Sequence, residues 1–317
     1  MVKEESASKV FAYFVNAFLI LCSRGIISNE EIKNQEPLKE FSALRDHIFK
    51  IEDSNYQVNS SSQITDNKSD FIHLHDDIDR LHNKVIKFVT DLKSDIYIHS
   101  NRISKLLEHY KCEAETANLQ LIKEVLKRLV IDTIIDMVNE YFEFNEVDNF
   151  YPGNNVLGLL LKNLCLLTVK NPDNDNIMKE IPIKERQQIY LFLRNLVFDE
   201  DGNHEHWFIY NSKQQLIDTI NEYRTINDHS KKKEIEDYAS SLIRDVINIF
   251  YFRRYTCERI INYMWIKNNE PIDPLSMNEV WDDDVNVDNL VVQFCSFPLF
   301  GTDLENLDKR QAWFRAH

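Results

Sequence analysis

The alternation of apolar and polar positions is most regular between Phe71 and Tyr110. Apolar side chains recur at Phe71, Leu74, Ile78, Leu81, Val85, Phe88, Leu92, Ile96, Ile103, Leu106 and Tyr110, mostly in steps of three or four, without a Gly or Pro in the stretch. Residues at those steps share one narrow stripe of an α-helix, so the spacing predicts a single long helix with a coiled-coil-like seam. The run is longer than a compact domain usually needs to bury. Its residues Leu74, Ile78, Leu81, Val85, Phe88 and Leu92 are therefore the candidate partner-binding face.

Other elements follow from the same reading. Glu5 to Arg24 is apolar on every face and predicts a covered first helix, stopped at Gly25. After Pro37, Leu38, Phe41, Leu44, Ile48 and Ile51 make the stripe of a second helix, and the Ser- and Asn-rich stretch 53–70 reads as a flexible loop. Residues 113–144 carry a wide apolar face suited to packing on several neighbours. Beyond the Tyr151-Pro152-Gly153 break comes a leucine-rich helix, then a polar loop bracketed by Pro172 and Pro182. Further helices are expected at 183–197, 212–226 and 234–267, with Arg253 and Arg254 on a solvated or acid-paired face of the last. The β-branched and aromatic run 290–297 predicts a strand, paired across a long loop with residues 311–316.

The fold class expected is mainly α, a multi-helix bundle built on the long coiled-coil-like helix, with a small C-terminal β-hairpin. The stretches divide as N-terminal helices (1–52), loop (53–70), a long helical pair (71–144) and a C-terminal helical domain ending in the hairpin (145–317).

Composition narrows the function classes. The chain has 317 residues and only five glycines, which are not grouped as phosphate-cradling loops and nucleophile elbows require. A net charge of −15 opposes general nucleic-acid binding, which needs a surplus of Lys and Arg. Five scattered cysteines without a C-x-x-C fit buried thiols in a reducing compartment, so a cytoplasmic location is expected. The apolar run Val10–Cys22 is too short to span a bilayer and reads as a buried helix, with a membrane-surface anchor as the alternative.

Candidate chemistry is sparse. His75, Asp79 and His82 fall at i, i+4 and i+7 of the predicted helix, and two imidazoles with a carboxylate make a reasonable metal set. The outer pair, however, would stand roughly 10 Å apart along the axis. A site there would need ligands from elsewhere, such as His204 and His206, and the plainer reading is the solvated side of a helix. Asp282–Asp288 starts like a calcium loop but has Val287 and Gln293 where Gly and Glu are required. No nucleophile motif is present, so no catalytic residue and no cofactor is nominated.

The C-terminal third carries a helix ending with Met264-Trp265, then Pro271 and Pro274, an acidic segment, Val292-Gln293-Phe294-Cys295-Ser296-Phe297-Pro298-Leu299 and a closing strand containing Ala316. In these features residues Glu234–His317 resemble the C-terminal domain of the Mieap family of mitochondrial quality-control proteins. The resemblance implies a helical domain after a coiled coil, self-association, and association with mitochondria or anionic lipid. It brings no catalytic residues, and the acidic balance of this chain opposes the lipid part. The expected function is a non-catalytic interaction or scaffold protein, binding a protein partner or itself. The alternatives are an unrecognised helical enzyme, metal-dependent in one version, and a mitochondria- or membrane-surface-associated adaptor.

Overall fold

The structure is a computed structural model that describes residues 67–90, 96–112, 119–143, 172–198, 207–271, 291–302 and 313–316, with Val15, Ala17, Phe18, Ile20, Asn163, Leu164 and Leu167. The protein is mainly α-helical, and seven α-helices are bounded among the described residues. They are α1 (Asn67–Thr90), α2 (Ser100–His109), α3 (Leu119–Glu143), α4 (Pro172–Glu180), α5 (Ile183–Phe198), α6 (Trp207–Asn221) and α7 (His229–Ile247). Three antiparallel strand pairs accompany them: β1 (Ile96–Ile98) with β2 (Arg224–Ile226), β3 (Asn262–Met264) with β5 (Leu299–Gly301), and β4 (Val292–Phe297) with β6 (Trp313–Ala316). The β4–β6 pair is the C-terminal hairpin that the apolar run predicts. The second N-terminal helix, the leucine-rich helix apart from Asn163, Leu164 and Leu167, and residue Leu92 lie outside the described residues.

The forty-residue periodic run is not one helix. α1 already begins at Asn67, inside the stretch read as loop, and stops at Thr90, after which Ile96-Tyr97-Ile98 forms a strand and α2 resumes. The stop is made from far away in sequence. Arg224, on β2, donates from Nη1 to the Val89 carbonyl (3.1 Å) and from Nη2 to the Phe88 carbonyl (3.0 Å). Those are carbonyls the last turn of a helix cannot satisfy internally. Local propensity then suits the strand, since Ile and Tyr favour a pleated surface.

Three other expectations are corrected. Pro172–Pro182 is not a loop: α4 runs through it, with Pro172 at its start, where a missing N–H costs nothing. The helix expected through 226 ends at Asn221. The helix expected over 234–267 is α7, which starts earlier because the Asp228 carboxylate accepts the N–H of Ser230 (2.8 Å) and of Lys231 (3.4 Å) as an N-cap. Hydrogen bonds from Ser230 hold that carboxyl below its usual pKa. α7 passes into a π-helical turn (Asn248–Phe252) and a 3-10 turn (Arg253–Tyr255), and Met264 ends a strand, not a helix.

The chain divides into two compact units, each assembled from three separated stretches. The first contains Met1–Leu74, Met137–Asp199 and Asn248–Ile260; the second contains His75–Asp136, Glu200–Ile247 and Ile261–His317. In the first, α5 packs on the π and 3-10 turns, where Tyr251 donates to Asn139 Oδ1 (2.7 Å) and meets Phe142 edge-on. In the second, Ile78, Leu81, Val85 and Phe88 of α1 are buried, as are Leu242, Ile243 and Val246 of α7. Lys84 of α1 donates to Ser241 (2.7 Å) and pairs with Asp245, tying those helices together.

Candidate functional site

Leu74, Ile78, Leu81, Val85 and Phe88 are all covered by the chain's own atoms. In this structure the seam is core. The three residues of the metal reading part company. His75 Nδ1 stands 3.2 Å from Asp79 Oδ2 on the half-exposed side of α1. His82 is 3% exposed, with its ring edge-on to Phe297 at 4.8 Å. Among the described residues no group of three or more His, Cys, Asp or Glu could hold a metal ion. His204, His206, Asp282–Asp288 and the acidic turn at 199–203 lie outside those residues.

Burial first, and the positive charge of Lys127 second, lower the His82 pKa to about 3. Its imidazole is neutral at any pH near 7. Lys127 is itself buried and ion-paired with Glu124 one turn earlier on α3. A neutral imidazole and a paired ammonium offer no proton-transfer couple near neutral pH.

A polar cluster of the second unit surrounds Arg128 of α3. Its Nε donates to Asp132 Oδ2 (3.0 Å), one helical turn on, and Nη1 donates to the Cys295 carbonyl (3.3 Å). The guanidinium lies 3.7 Å from the Trp265 ring centre and 5.5 Å from that of Tyr110. Tyr110 donates its hydroxyl to the same Asp132 oxygen (3.0 Å), and its own pKa is pushed up by burial and by the Asp132 charge. Each group has a partner of the right sign, so the cluster locks α3, the end of α2 and β4 together. The i, i+4 spacing of Arg128 and Asp132 is readable in the sequence. The contributions of Tyr110, Trp265 and Cys295 are not, because they arrive from other elements.

The first unit has a different arrangement. Tyr190 of α5 stacks on Tyr255 at 5.1 Å with the planes 16° apart, and the Tyr255 hydroxyl donates to the Leu167 carbonyl (3.3 Å). Arg254, expected on a solvated or acid-paired face, is 1% exposed, so the solvated half of that expectation does not hold. Its guanidinium lies 4.1 Å from the Tyr255 ring centre and bonds the Tyr255 hydroxyl. The π and 3-10 turns make this burial possible, because they re-aim side chains that a continuous α-helix would present elsewhere.

Arg186, one turn before Tyr190 on α5, is 4% exposed. Its Nη2 donates to the Glu258 carbonyl (3.1 Å), while Nε and Nη1 are buried and make no hydrogen bond. Burial lowers its pKa; the groups that act on it in the other direction are Tyr190 and Cys257. The sequence did carry a hint. Arg186, Ile189 and Tyr190 fall at i, i+3 and i+4, so the arginine sits in the apolar stripe of its own helix.

Among the described residues, Cys112 and Cys295 are not activated thiols. Cys112, Cys257 and Cys295 are free and buried, and burial pushes the Cys112 and Cys295 pKa values up to about 11. Among the described residues no helix is long and apolar enough to cross a membrane. No protein-family model matches the chain, and neither the curated proteins nor the solved structures contain a match to it.

Proposed function

We propose that this chain is a non-catalytic interaction protein, engaging a protein partner, a second copy of itself included, through an exposed face of the second unit. The observation that carries the reading is Tyr97. This aromatic residue is 64% exposed at the middle of β1, in a two-stranded ribbon, with Thr225 opposite and the His99 ring edge-on to it at 5.3 Å. Large exposed aromatics are enriched where proteins bind one another, and a short ribbon edge offers backbone groups to an incoming strand. The buried seam gives no support to a partner site along α1, so the reading moves from that helix to the ribbon. Free buried thiols also support a reducing compartment.

Sedimentation velocity across a concentration series, with the wild type and Tyr97→Ser compared, tests the self-association branch. Pull-down with a purified candidate partner tests the other branch. Binding that is unchanged by Tyr97→Ser in both would remove the ribbon from the interface.

A further inference from the structure

A buried guanidinium normally faces a carboxylate, because taking a cation out of water without compensation is costly. Even the half-buried Arg128 has such a partner in Asp132. Arg186 does not. Its sole hydrogen bond is to a backbone carbonyl, and two of its nitrogens donate to nothing. Glu185 precedes it on α5, but adjacent helix positions point about 100° apart. It is not among the groups whose charge acts on Arg186.

The helix makes matters worse for a lone cation. The Arg186 backbone N–H bonds the Pro182 carbonyl, which places the residue in the first turn of α5. That end of a helix carries a partial positive charge and unsatisfied N–H groups. Through Tyr190 and Tyr255 the same corner connects to the second buried guanidinium, Arg254. A positive helix end and the two unused donors of Arg186 call for the same missing component.

We propose that this corner of the first unit is an anion-binding site, in which a small oxyanion accepts hydrogen bonds from Nε and Nη1 of Arg186. The chemistry is that shared by a phosphate group and a carboxylate, both of which Arg recognises through N–H···O bonds. The two donors are themselves removed from solvent. Anion binding therefore responds less to ionic strength than a surface site would.

The test uses the full chain in a buffer whose only anion is chloride. Thermal unfolding is followed while sodium phosphate, or sodium acetate, replaces sodium chloride at constant ionic strength. The expected result is a saturable rise of a few degrees in Tm for phosphate, acetate or both. A response to one alone assigns the phosphate or the carboxylate branch. In Arg186→Met the rise is absent, and in chloride the variant unfolds at or above the wild-type temperature, because an uncompensated cation has been removed. A side chain that merely props up the Glu258 carbonyl predicts the reverse, a lower Tm for the variant in chloride. Arg186→Lys keeps the charge but lacks Nε, and should need about tenfold more anion for the same shift. No saturable rise in the wild type overturns the proposal, leaving the donors to buried water. So does an equal rise in Arg186→Met, or an Arg186→Lys curve that coincides with the wild type.

Discussion

Arg128 and Arg186 are both arginines on helices, both largely removed from water, and both one turn from a residue that matters to them. Arg128 has a carboxylate, a carbonyl and two aromatic faces. Arg186 has a single carbonyl. The difference lies in what reaches each one from other parts of its unit. Around Arg128, β4, the end of α2 and the stretch after β3 supply complementary groups. Around Arg186, the turn at Thr256–Glu258 supplies a backbone carbonyl and no carboxylate hydrogen bond, with Gln187 taking the Thr256 carbonyl (2.9 Å) beside it. A buried charge that is fully matched stiffens a fold. One left short marks a place where something else belongs.

If the buried stripe of α1 is core, the sharpest test is to insert a charge there. Ile78→Asp or Val85→Asp places a carboxylate among side chains that are almost wholly buried. We expect a loss of more than about 4 kcal/mol and no cooperative unfolding transition by circular dichroism. A variant that stays folded and only changes its oligomeric state would return the seam to the surface.

Acid should insert an unmatched charge without mutation. The His82 pKa is lowered in the folded state from an ordinary 6.5 to about 3. Its contribution is therefore present in full above pH 6.5 and is lost as the pH falls toward 3. The slope is about 1.4 kcal/mol per pH unit, and the total is on the order of 4–5 kcal/mol. Urea unfolding at pH 7 and pH 4.5 should show about 2.7 kcal/mol of this loss in the wild type, the share that falls in the two units below pH 6.5. In His82→Leu the same comparison should be flatter by most of that amount; parallel losses would mean that other groups carry the acid sensitivity.

Removing a cation separates the two arginines directly. Arg128→Met leaves the half-buried Asp132 without its cation and should cost about 1–3 kcal/mol, between the exposed and the buried cases. Adding Asp132→Asn should recover part of it. Equal costs for Arg128→Met and Arg186→Met in chloride buffer would erase the distinction between the two sites.

How much of this was legible follows from the range over which each feature is determined. The helical class, α3 and the β4–β6 hairpin rest on local periodicity and propensity, and they could be read. The end of α1 could not. Val89-Thr90-Asp91 contains no breaker, and the cap is Arg224, 134 residues beyond Thr90 in the chain. The π turn was equally silent, since Ile249-Phe250-Tyr251-Phe252 continues an apolar helical run and departs from it only through tertiary packing. His75, Asp79 and His82 shared a predicted helix face, yet i and i+7 on one helix sufficed to place them near one another without placing them in one environment.

The smallest effect concerns a backbone detail at the edge of the Arg128 cluster. Lys111 follows α2 with φ at 57°, in the left-handed region. The N–H of Cys112 bonds the Leu107 carbonyl (2.8 Å) and that of Lys111 bonds the Glu108 carbonyl (2.9 Å), the Schellman pattern that glycine usually completes. Asn268 Nδ2 holds the turn by donating to the carbonyls of Tyr110 (2.9 Å) and Lys111 (3.2 Å). The Lys111 side chain is exposed, so removing it disturbs no packing. Lys111→Gly relieves the steric cost of that φ and should stabilise the protein by up to about 1 kcal/mol. Asn268→Ala should cost a comparable amount by releasing both carbonyls. In the Lys111→Gly background Asn268→Ala should cost less than in the wild type, because a glycine holds the turn without the clamp. Strict additivity in urea midpoints would mean that Asn268 stabilises the cluster independently of the turn.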